Sequence, residues 1–303
     1  MLSSINNTRP RSALFYNFVI FHMQIQKVLS VASARLTDST TPALDSRILL
    51  SYILNISREQ LLMRYSEELD HKVCQAFWDL VQRRLNKEPI AYIIGKQEFY
   101  GREYCVNKHV LIPRPETELL IDKLIIDYAA YHSTSRVDIL ELGVGSGAIS
   151  ISIATEIPKA NIIATDICAK ALKVAMQNVT YHNVGNRVKL IQSNWYKEVP
   201  DMKCDYIVSN PPYIANTEKD LVCLQTDLFE PKIALYAEED GLSEYKLILK
   251  TAKHYLKQGG RLLLEIGCNQ AHQVQNIALL NGFNDICLHQ DLAGHDRLII
   301  CTL

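Results

Sequence analysis

The chain has 303 residues, a formal net charge of −1 at pH 7 and a composition that is 48% hydrophobic and 21% charged. This length predicts two domains of an ordinary globular protein, and the near-neutral charge argues against binding of nucleic acid over a wide surface. Because no apolar run approaches the roughly 18–20 residues of a membrane span, we expect no membrane insertion.

The first 37 residues contain no Asp or Glu, which is typical of a presequence. An amphipathic pattern starts after Met23, so we expect residues 1–22 to be an extension that is either disordered or the result of a misassigned start. The alternative is a cleaved organellar presequence. Eight scattered cysteines without a C-x-x-C pair otherwise favour a reducing, cytoplasmic compartment and argue against a zinc site.

The chain after Met23 shows two kinds of pattern. Apolar residues recur at helical spacing over residues 23–96, which predicts an N-terminal helical domain. A small hairpin and a proline-containing linker are predicted over residues 97–115. From residue 116 to residue 303 helices alternate with apolar strands, which predicts an α/β domain with a mostly parallel sheet. Its strands are predicted at residues 137–142, 161–166, 188–192, 204–209, 260–266, 283–289 and 296–302.

A glycine-rich turn follows the first of these strands. Gly143, Gly145 and Gly147 allow positive φ and let a ligand lie against bare backbone, although their spacing differs from the dinucleotide-binding fingerprint. Asp166 ends the next strand, where a carboxylate can bind the two hydroxyls of a ribose. The plainer interpretation of Asp166 is a helix N-cap. Together these residues favour a ligand that contains a nucleoside.

The tetrapeptide Asn210-Pro211-Pro212-Tyr213 follows a third buried strand. Its prolines end that strand because they have no N–H to donate, and they stiffen the backbone around Asn210. The Asn210 amide oxygen and the Pro211 carbonyl would then form a pair of acceptors for a planar –NH2 group, with the Tyr213 ring against its plane. The plainer interpretation is a strand stop with a turn asparagine.

These three features together resemble the class I S-adenosylmethionine-dependent methyltransferases that act on planar nitrogens. Further motifs resemble the HemK/PrmC family of release factor glutamine methyltransferases: Glu88-Pro-Ile-Ala-Tyr-Ile-Ile-Gly95, Glu98-Phe-Tyr-Gly101, Val110-Leu-Ile-Pro-Arg-Pro-Glu-Thr-Glu118, Phe229-Glu-Pro231 and Asp291-Leu-Ala-Gly294 with Asp296-Arg297. The resemblance runs from about residue 24 to the end. It implies a seven-stranded, Rossmann-like sheet with an antiparallel last strand and a smaller N-terminal helical domain that binds substrate.

The resemblance also implies a set of site residues. We expect no metal, because the cysteines and histidines show no metal-binding spacing. S-adenosyl-L-methionine would be bound by Glu141, Gly143, Val144, Gly145, Ser146, Gly147, Asp166, Trp195 and Asn210. Asn210, Pro211 and Tyr213 would be catalytic, and together with Pro212 they would bind the substrate amide. The plainer interpretations are a core aromatic for Trp195 and a partner of a glycine-turn N–H for Glu141. Asn194 departs from the family, where an aspartate usually precedes the tryptophan.

The function that we expect is methylation of the side-chain nitrogen (N5) of the glutamine in the Gly-Gly-Gln motif of peptide chain release factors. The enzyme would act as a monomer on this protein substrate, without a nucleic-acid substrate. An alternative is an adenine N6-type nucleic-acid methyltransferase, because the exocyclic adenine nitrogen is also a planar –NH2 group. A DNA enzyme of this kind would have to flip its base. A non-catalytic adaptor that retains the fold is the third interpretation.

Overall fold

The computed structural model describes residues 23–132 and 135–303, so the extension expected at residues 1–22 lies outside the described residues. The chain divides into two compact units between Ile94 and Gly95. None of the helices in the described part is long and apolar enough to cross a membrane.

The first unit is built of helices. They are α1 (Ile25–Arg35), α2 (Pro42–Leu54), α3 (Arg58–Met63), α4 (His71–Leu85) and α5 (Ile90–Ile94). The Ser57 side chain caps α3, because it accepts from the Gln60 N–H while the Gln60 side chain accepts from the Ser57 N–H. A buried ion pair of 2.7 Å between Arg84 and Asp45 joins α4 to α2.

The second unit begins with the predicted hairpin, an antiparallel pair of β1 (Lys96–Phe99) and β2 (Arg102–Cys105). The first half of its α/β part then consists of α6 (Glu118–Tyr131), β3 (Val137–Leu142), α7 (Ala148–Glu156), β4 (Ala160–Asp166), α8 (Ala169–Tyr181), β5 (Val188–Gln192) and β6 (Cys204–Ser209).

The second half contains β7 (Ile214–Ala215), α9 (Leu224–Phe229), β8 (Tyr236–Ala237), α10 (Glu238–Gly241), α11 (Ser243–Tyr255), β9 (Leu256–Glu265), α12 (Ala271–Leu280), β10 (Asp285–Gln290) and β11 (Asp296–Thr302). Single 3-10 turns lie at Pro115–Thr117, Asn216–Leu221 and Lys232–Ala234. The strands β7 and β8 pair only with each other.

The main sheet has seven strands in the order β10-β11-β9-β6-β3-β4-β5. The five strands from β9 to β5 run parallel, and β11 is antiparallel to both of its neighbours. This confirms the predicted seven-stranded class I methyltransferase sheet with an antiparallel last strand. Strand β3 pairs with β4 on one side and β6 on the other, so the order of the strands reverses there. Such a reversal is where sheets of this kind bind ligands.

Strand β9 differs most from its predicted bounds, while β4 starts one residue earlier than predicted, at Ala160, and β10 spans Asp285–Gln290 instead of residues 283–289. Strand β9 starts at Leu256, four positions before residue 260, and its register with β6 shifts between Cys204 and Tyr206. Gly259 lies among the additional residues that β9 contributes at this bulge, and its φ of +74° is one that glycine adopts easily. A glycine pair resembles a break in a sequence pattern, whereas here the strand continues through it.

Helices cover both faces of the sheet. Alternate residues of β3 point to opposite faces, so that Val137 and Ile139 pack with α6, α7 and α8, whereas Leu140 and Leu142 pack with α11 and α12. All four side chains are buried. A strand covered on both faces leaves only its ends open to a ligand, and Glu141 and Asp166 lie at the carboxyl ends of β3 and β4.

Candidate active site

A cavity of about 360 Å³ lies at the carboxyl ends of β3, β4, β5 and β6. Its lining includes most of the residues proposed from sequence: Glu141, Gly143, Val144, Gly145, Ser146, Asp166, Trp195, Asn210 and Pro212. Asn194 lines it as well. Gly147, Pro211 and Tyr213 are not part of the lining. One cavity thus brings the glycine turn, Asp166 and the asparagine of the tetrapeptide together.

The three glycines of the turn have different roles. Around Gly145, which has φ +53°, an added Cβ would meet nothing within 4 Å, so the backbone there borders open space. Gly147 has φ +85° and immediately precedes α7. A Cβ there would lie 3.0 Å from Ile151 Cδ1 and 3.5 Å from the Cβ of Ala175 in α8. Gly147 therefore permits close helix packing, while Gly145 leaves room for a ligand.

The Asp166 carboxylate connects the glycine turn to the start of α8. Its Oδ2 accepts from the Gly145 N–H at 2.9 Å, and its Oδ1 accepts from the Cys168 N–H at 2.8 Å. Cys168 is the N-cap residue of α8 and the helix has no side-chain cap, so the contact with Cys168 is a turn that precedes the helix and is not the N-cap of the plainer interpretation. Burial raises the pKa of Asp166, and the two backbone hydrogen bonds oppose that shift. Each carboxylate oxygen retains capacity for a further donor from the cavity.

Glu141 is a buried acid with one free oxygen. Only 1% of the residue is exposed. Its Oε2 accepts from the N–H of Ser150 at 3.0 Å and from the Ser150 hydroxyl, whereas its Oε1 has no partner among the described residues. Burial raises the pKa of Glu141 to about 8, and the bonds from Ser150 oppose that shift. The donor belongs to α7 and not to the glycine turn, so the plainer interpretation does not describe this contact.

Trp195 forms one wall of the cavity. Its Nε1–H donates to Glu244 Oε2 at 2.8 Å, and Glu244 also lines the cavity from α11. The edge of the indole ring lies close to Gly143, where an added Cβ would be 3.7 Å from Trp195 Cζ3. Trp195 also packs partly against the core on the α11 face of the sheet. Trp195 therefore lines the cavity, as a cofactor-binding residue would, and also packs against the core, as the plainer interpretation predicts.

Asn210 is the first member of a chain of hydrogen bonds that leads away from the cavity. Its Nδ2 donates to Thr117 Oγ1 at 3.1 Å. The Thr117 hydroxyl in turn donates to Glu265 Oε2 at 2.6 Å. Thr117 is 4% exposed and Glu265 is 2% exposed. The Asn210 amide is thus held from its nitrogen side by two buried residues.

The remainder of the tetrapeptide supports Asn210 from outside the cavity. Pro211 is buried and Pro212 lines the cavity. The Tyr213 hydroxyl donates to Glu265 Oε1 at 3.4 Å, and the Tyr213 carbonyl accepts from Gln270 Nε2 at 2.9 Å. Burial raises the pKa of the Tyr213 hydroxyl, and the nearby Glu265 carboxylate adds to the shift. The catalytic roles predicted for Pro211 and Tyr213 stay predictions.

The Ile-Pro-Arg segment forms a further wall of the cavity. Glu230, whose side chain has no exposed area, forms an ion pair with Arg114 and accepts from the Ile112 N–H at 3.0 Å. Pro113, Arg114 and Pro231 all line the cavity. Two of the segments that resembled the HemK/PrmC family are therefore joined to each other at this site.

Several residues of the site were assigned no role from the sequence: Thr117 and Glu230, which lie within the quoted family motifs, and Ser150, Glu244 and Glu265. Glu265 carried a usable signal, since it ends β9 as Asp166 ends β4. Acids at the carboxyl ends of two strands are expected to be near each other or near the same ligand. Ser150 and Glu244 lie on helix faces, and their partners Glu141 and Trp195 are apparent only in the folded chain.

Comparison with known proteins identifies both units. Residues 27–95 match the PrmC N-terminal domain, and residues 116–234 match the methyltransferase small domain. The release factor glutamine methyltransferase of Neisseria gonorrhoeae is 43% identical over 265 residues, a match that covers 86% of this chain and 94% of that protein. The chain belongs to the release factor glutamine methyltransferase family.

Other relatives show how far this family relationship extends. The bifunctional methyltransferase of Rickettsia prowazekii is 46% identical over 292 residues, which cover 91% of this chain but 56% of that protein. The chain thus spans little more than half of this longer relative. Among solved structures, the hMettl16 catalytic domain in complex with a MAT2A 3'UTR hairpin aligns with a TM-score of 0.54 at 15% identity over 74% of this chain and 81% of that one. At that identity the likeness shows a shared fold alone.

Proposed function

We propose that the protein transfers a methyl group from S-adenosylmethionine to the side-chain nitrogen (N5) of the glutamine in the Gly-Gly-Gln motif of peptide chain release factors. The observation that carries this proposal is the single cavity that joins the glycine turn and Asp166 to the amide of Asn210. Family membership supports the same substrate, because the Neisseria gonorrhoeae relative is named for it.

The lining residues fit S-adenosylmethionine. Open space at Gly145 and the carboxylate of Asp166 suit a ribose, and the half-buried Trp195 offers an aromatic surface to the adenine ring. The free oxygen of Glu141 is a buried acceptor without a partner among the described residues, and it suits a donor of the amino-acid end. When bound, the cofactor supplies an electrophilic methyl group on its sulfonium.

The residues of this chain would act on the acceptor amide. An amide nitrogen is a poor nucleophile because its lone pair is delocalised into the carbonyl. Asn210 Oδ1 and the Pro211 carbonyl would accept hydrogen bonds from the two N–H groups of the acceptor amide and would position its nitrogen for attack on the methyl group that the cofactor supplies. These bonds strengthen as the nitrogen gains positive charge, so they favour the transition state over the ground state. Positioning of this kind contributes about 7–11 kcal/mol in favourable cases.

No described residue is needed as a general base. Asparagine cannot take a proton at neutral pH, and the proton lost after transfer passes to water. The Tyr213 hydroxyl is bonded to Glu265, so we propose that Tyr213 keeps the tetrapeptide in place.

The substrate and the setting follow from the same residues. Glycines beside the target glutamine let it enter a narrow cavity without clashes of neighbouring side chains. The unit that matches the PrmC N-terminal domain is proposed to contact the body of the release factor. We also propose that the protein acts as a monomer. Scattered thiols without a C-x-x-C pair support a reducing, cytoplasmic setting.

A methyl-transfer assay tests the proposal directly. The full chain is incubated with radiolabelled S-adenosylmethionine and one of three acceptors: an intact release factor, the same factor with Gln→Ala in its Gly-Gly-Gln motif, or duplex DNA. We expect label on the intact factor alone. Equal label on the Gln→Ala factor would point to another protein site, and label on DNA would favour the adenine methyltransferase.

A further inference from the structure

We propose that Thr117 and Glu265 are positioning residues that decide which face of the Asn210 amide is turned toward the substrate. An asparagine amide has two orientations of nearly equal shape, one with its oxygen and one with its nitrogen toward a given point. Only the orientation with the oxygen toward the cavity can accept from a substrate –NH2 group. This inference rests on the proposed function, and it adds the residues that make the asparagine competent.

The contacts form a continuous path from the cavity into the protein. Asn210 Nδ2 lies 3.1 Å from Thr117 Oγ1, and Thr117 Oγ1 lies 2.6 Å from Glu265 Oε2. The three residues come from three separate elements: the end of β6, the 3-10 turn before α6, and the end of β9. Because Thr117 and Glu265 are both buried, water does not compete freely for these bonds.

The direction of the bonds follows from the number of protons. An ionised carboxylate only accepts, and a hydroxyl has a single proton to give. When Glu265 is ionised, the Thr117 proton is committed to Glu265 Oε2, and Thr117 Oγ1 can offer Asn210 only a lone pair. The Asn210 nitrogen must then face Thr117, because its oxygen would set two acceptors against each other. The Asn210 oxygen is left on the other side of the amide.

Glu265 is held in place by its surroundings. The Tyr213 hydroxyl donates to Glu265 Oε1 at 3.4 Å, and the Tyr245 hydroxyl donates to the Glu265 carbonyl at 3.2 Å. The positive charge of Arg297 stabilises the ionised Glu265 carboxylate, and the negative charge of Glu116 destabilises it. Tyr213 and Thr117 thus bond to the same carboxyl group. Tyr213 can therefore contribute to the site through Glu265, although it does not line the cavity.

The same path gives the reaction a dependence on pH. Burial raises the pKa of Glu265 to about 7, while the Thr117 hydrogen bond, Arg297 and Tyr213 oppose the shift and Glu116 adds to it. A protonated Glu265 can donate to Thr117, and the hydroxyl is then free to donate to an Asn210 oxygen. Below pH 7 the amide thus loses its preferred orientation, and methyl transfer should slow.

The test compares Thr117→Val with Thr117→Ser in the full chain. Valine keeps the shape and removes the hydroxyl, whereas serine keeps the hydroxyl. We expect Thr117→Val to lower kcat toward an intact release factor at least tenfold, and Thr117→Ser to have a kcat at least fivefold above that of Thr117→Val. Thr155→Val is the matched control, because the Thr155 hydroxyl donates to the Ile151 carbonyl within α7 and Thr155 does not line the cavity.

A second measurement does not depend on how well Thr117→Val folds. The kcat of the wild-type chain should rise as the pH passes through about 7, and in Glu265→Gln this rise between pH 6 and 8 should be absent, whatever its absolute rate. Equal kcat values for Thr117→Val and Thr117→Ser, or an unchanged pH profile in Glu265→Gln, would overturn the inference. A wild-type chain that does not methylate the release factor would instead overturn the proposed function, and this inference with it.

Discussion

Glu230 forms an ion pair with Arg114, 116 positions away in the chain, and the pair joins two walls of the cavity. One wall contains Pro113 and the other contains Pro231. The carboxylate has no exposed area and also accepts from the Ile112 N–H at 3.0 Å. Hydrogen bonds to a charged group are stronger than those between neutral groups. Removing one partner of a buried ion pair leaves the other charge uncompensated, which strongly destabilises the folded state.

Replacement of Glu230 should therefore destabilise the second unit. We expect Glu230→Ala to lower the free energy of unfolding by about 3 kcal/mol, because Arg114 and the Ile112 N–H both lose their buried acceptor. The control is Glu103→Ala, since Glu103 forms an exposed pair with Lys96 and should contribute less than about 1 kcal/mol. Urea unfolding of both variants measures the difference. Similar losses in the two variants would contradict a structural role for the Glu230 pair.

Asn210→Ala should separate catalysis from cofactor binding. We expect kcat to fall at least ~100-fold, the size of effect seen when a transition-state hydrogen bond is removed. The dissociation constant of S-adenosylmethionine should change little, because the glycine turn, Glu141 and Asp166 remain. Titration calorimetry and the methyl-transfer assay measure the two quantities. Near-normal turnover would show that Asn210 does not make a hydrogen bond that stabilises the transition state.

Asp166→Ala should weaken the binding of S-adenosylmethionine. Up to two ribose hydrogen bonds to a charged acceptor are lost, each contributing about 1.5–3 kcal/mol at most. The same carboxylate holds the Gly145 and Cys168 N–H groups, so we also expect a lower melting temperature. Asp166→Asn is the matched variant, because it keeps an acceptor and removes the charge. An unchanged dissociation constant in Asp166→Ala would leave this residue only its structural contacts with the Gly145 and Cys168 N–H groups.

The glycines of the turn should respond differently to alanine. Gly145 and Gly147 both have positive φ, so replacing either one with alanine costs about 1–2 kcal/mol in backbone strain. Gly147→Ala adds a crowded contact with Ile151 and should be the less stable variant. Gly145→Ala places a methyl group in open space at the cavity and should raise the dissociation constant of S-adenosylmethionine more than Gly147→Ala does. Thermal melting and calorimetry on both variants test this contrast.

Glu141 should make the cofactor-free protein less stable as the pH rises. Its pKa of about 8 lies above its ordinary value of 4.5, so between these values the folded chain holds a proton that the unfolded chain has lost. The free energy of unfolding must then fall with increasing pH across that window. Glu141→Gln should show a flatter dependence between about pH 5 and 8 in urea titrations. Identical slopes would show that this carboxyl titrates normally in the folded state.

Strands β3, β5, β6 and β11 were predicted with the bounds that the structure shows, although β5 is a partly exposed edge strand and β11 is antiparallel. The central strands β3 and β6 were the clearest, because parallel strands that are covered on both faces are mostly apolar. Polar residues at the ends of such strands stand out, and this is why Glu141, Asp166 and Asn210 were proposed together. The start of β9 was missed because the bulge at Gly259 resembles a strand break.

The supporting contacts were not predictable in the same way. Thr117 and Glu265 are 148 positions apart, and neither lies in a local pattern that refers to the other. Their contact depends on where the fold places the 3-10 turn before α6 relative to the end of β9, which no local pattern specifies. The sequence also assigned one role to three glycines, whereas the packing of α7 on α8 distinguishes Gly147 from Gly145.

The reversal of strand order at β3 separates the two proposed binding functions along the chain. Residues proposed to hold S-adenosylmethionine lie mainly between Glu141 and Trp195, and those proposed to hold the acceptor amide lie mainly between Asn210 and Glu265. The connection from β5 to β6 divides these two stretches. Thr117 precedes both of them and, through its bond to Glu265, ties the start of the α/β domain to the acceptor side of the cavity.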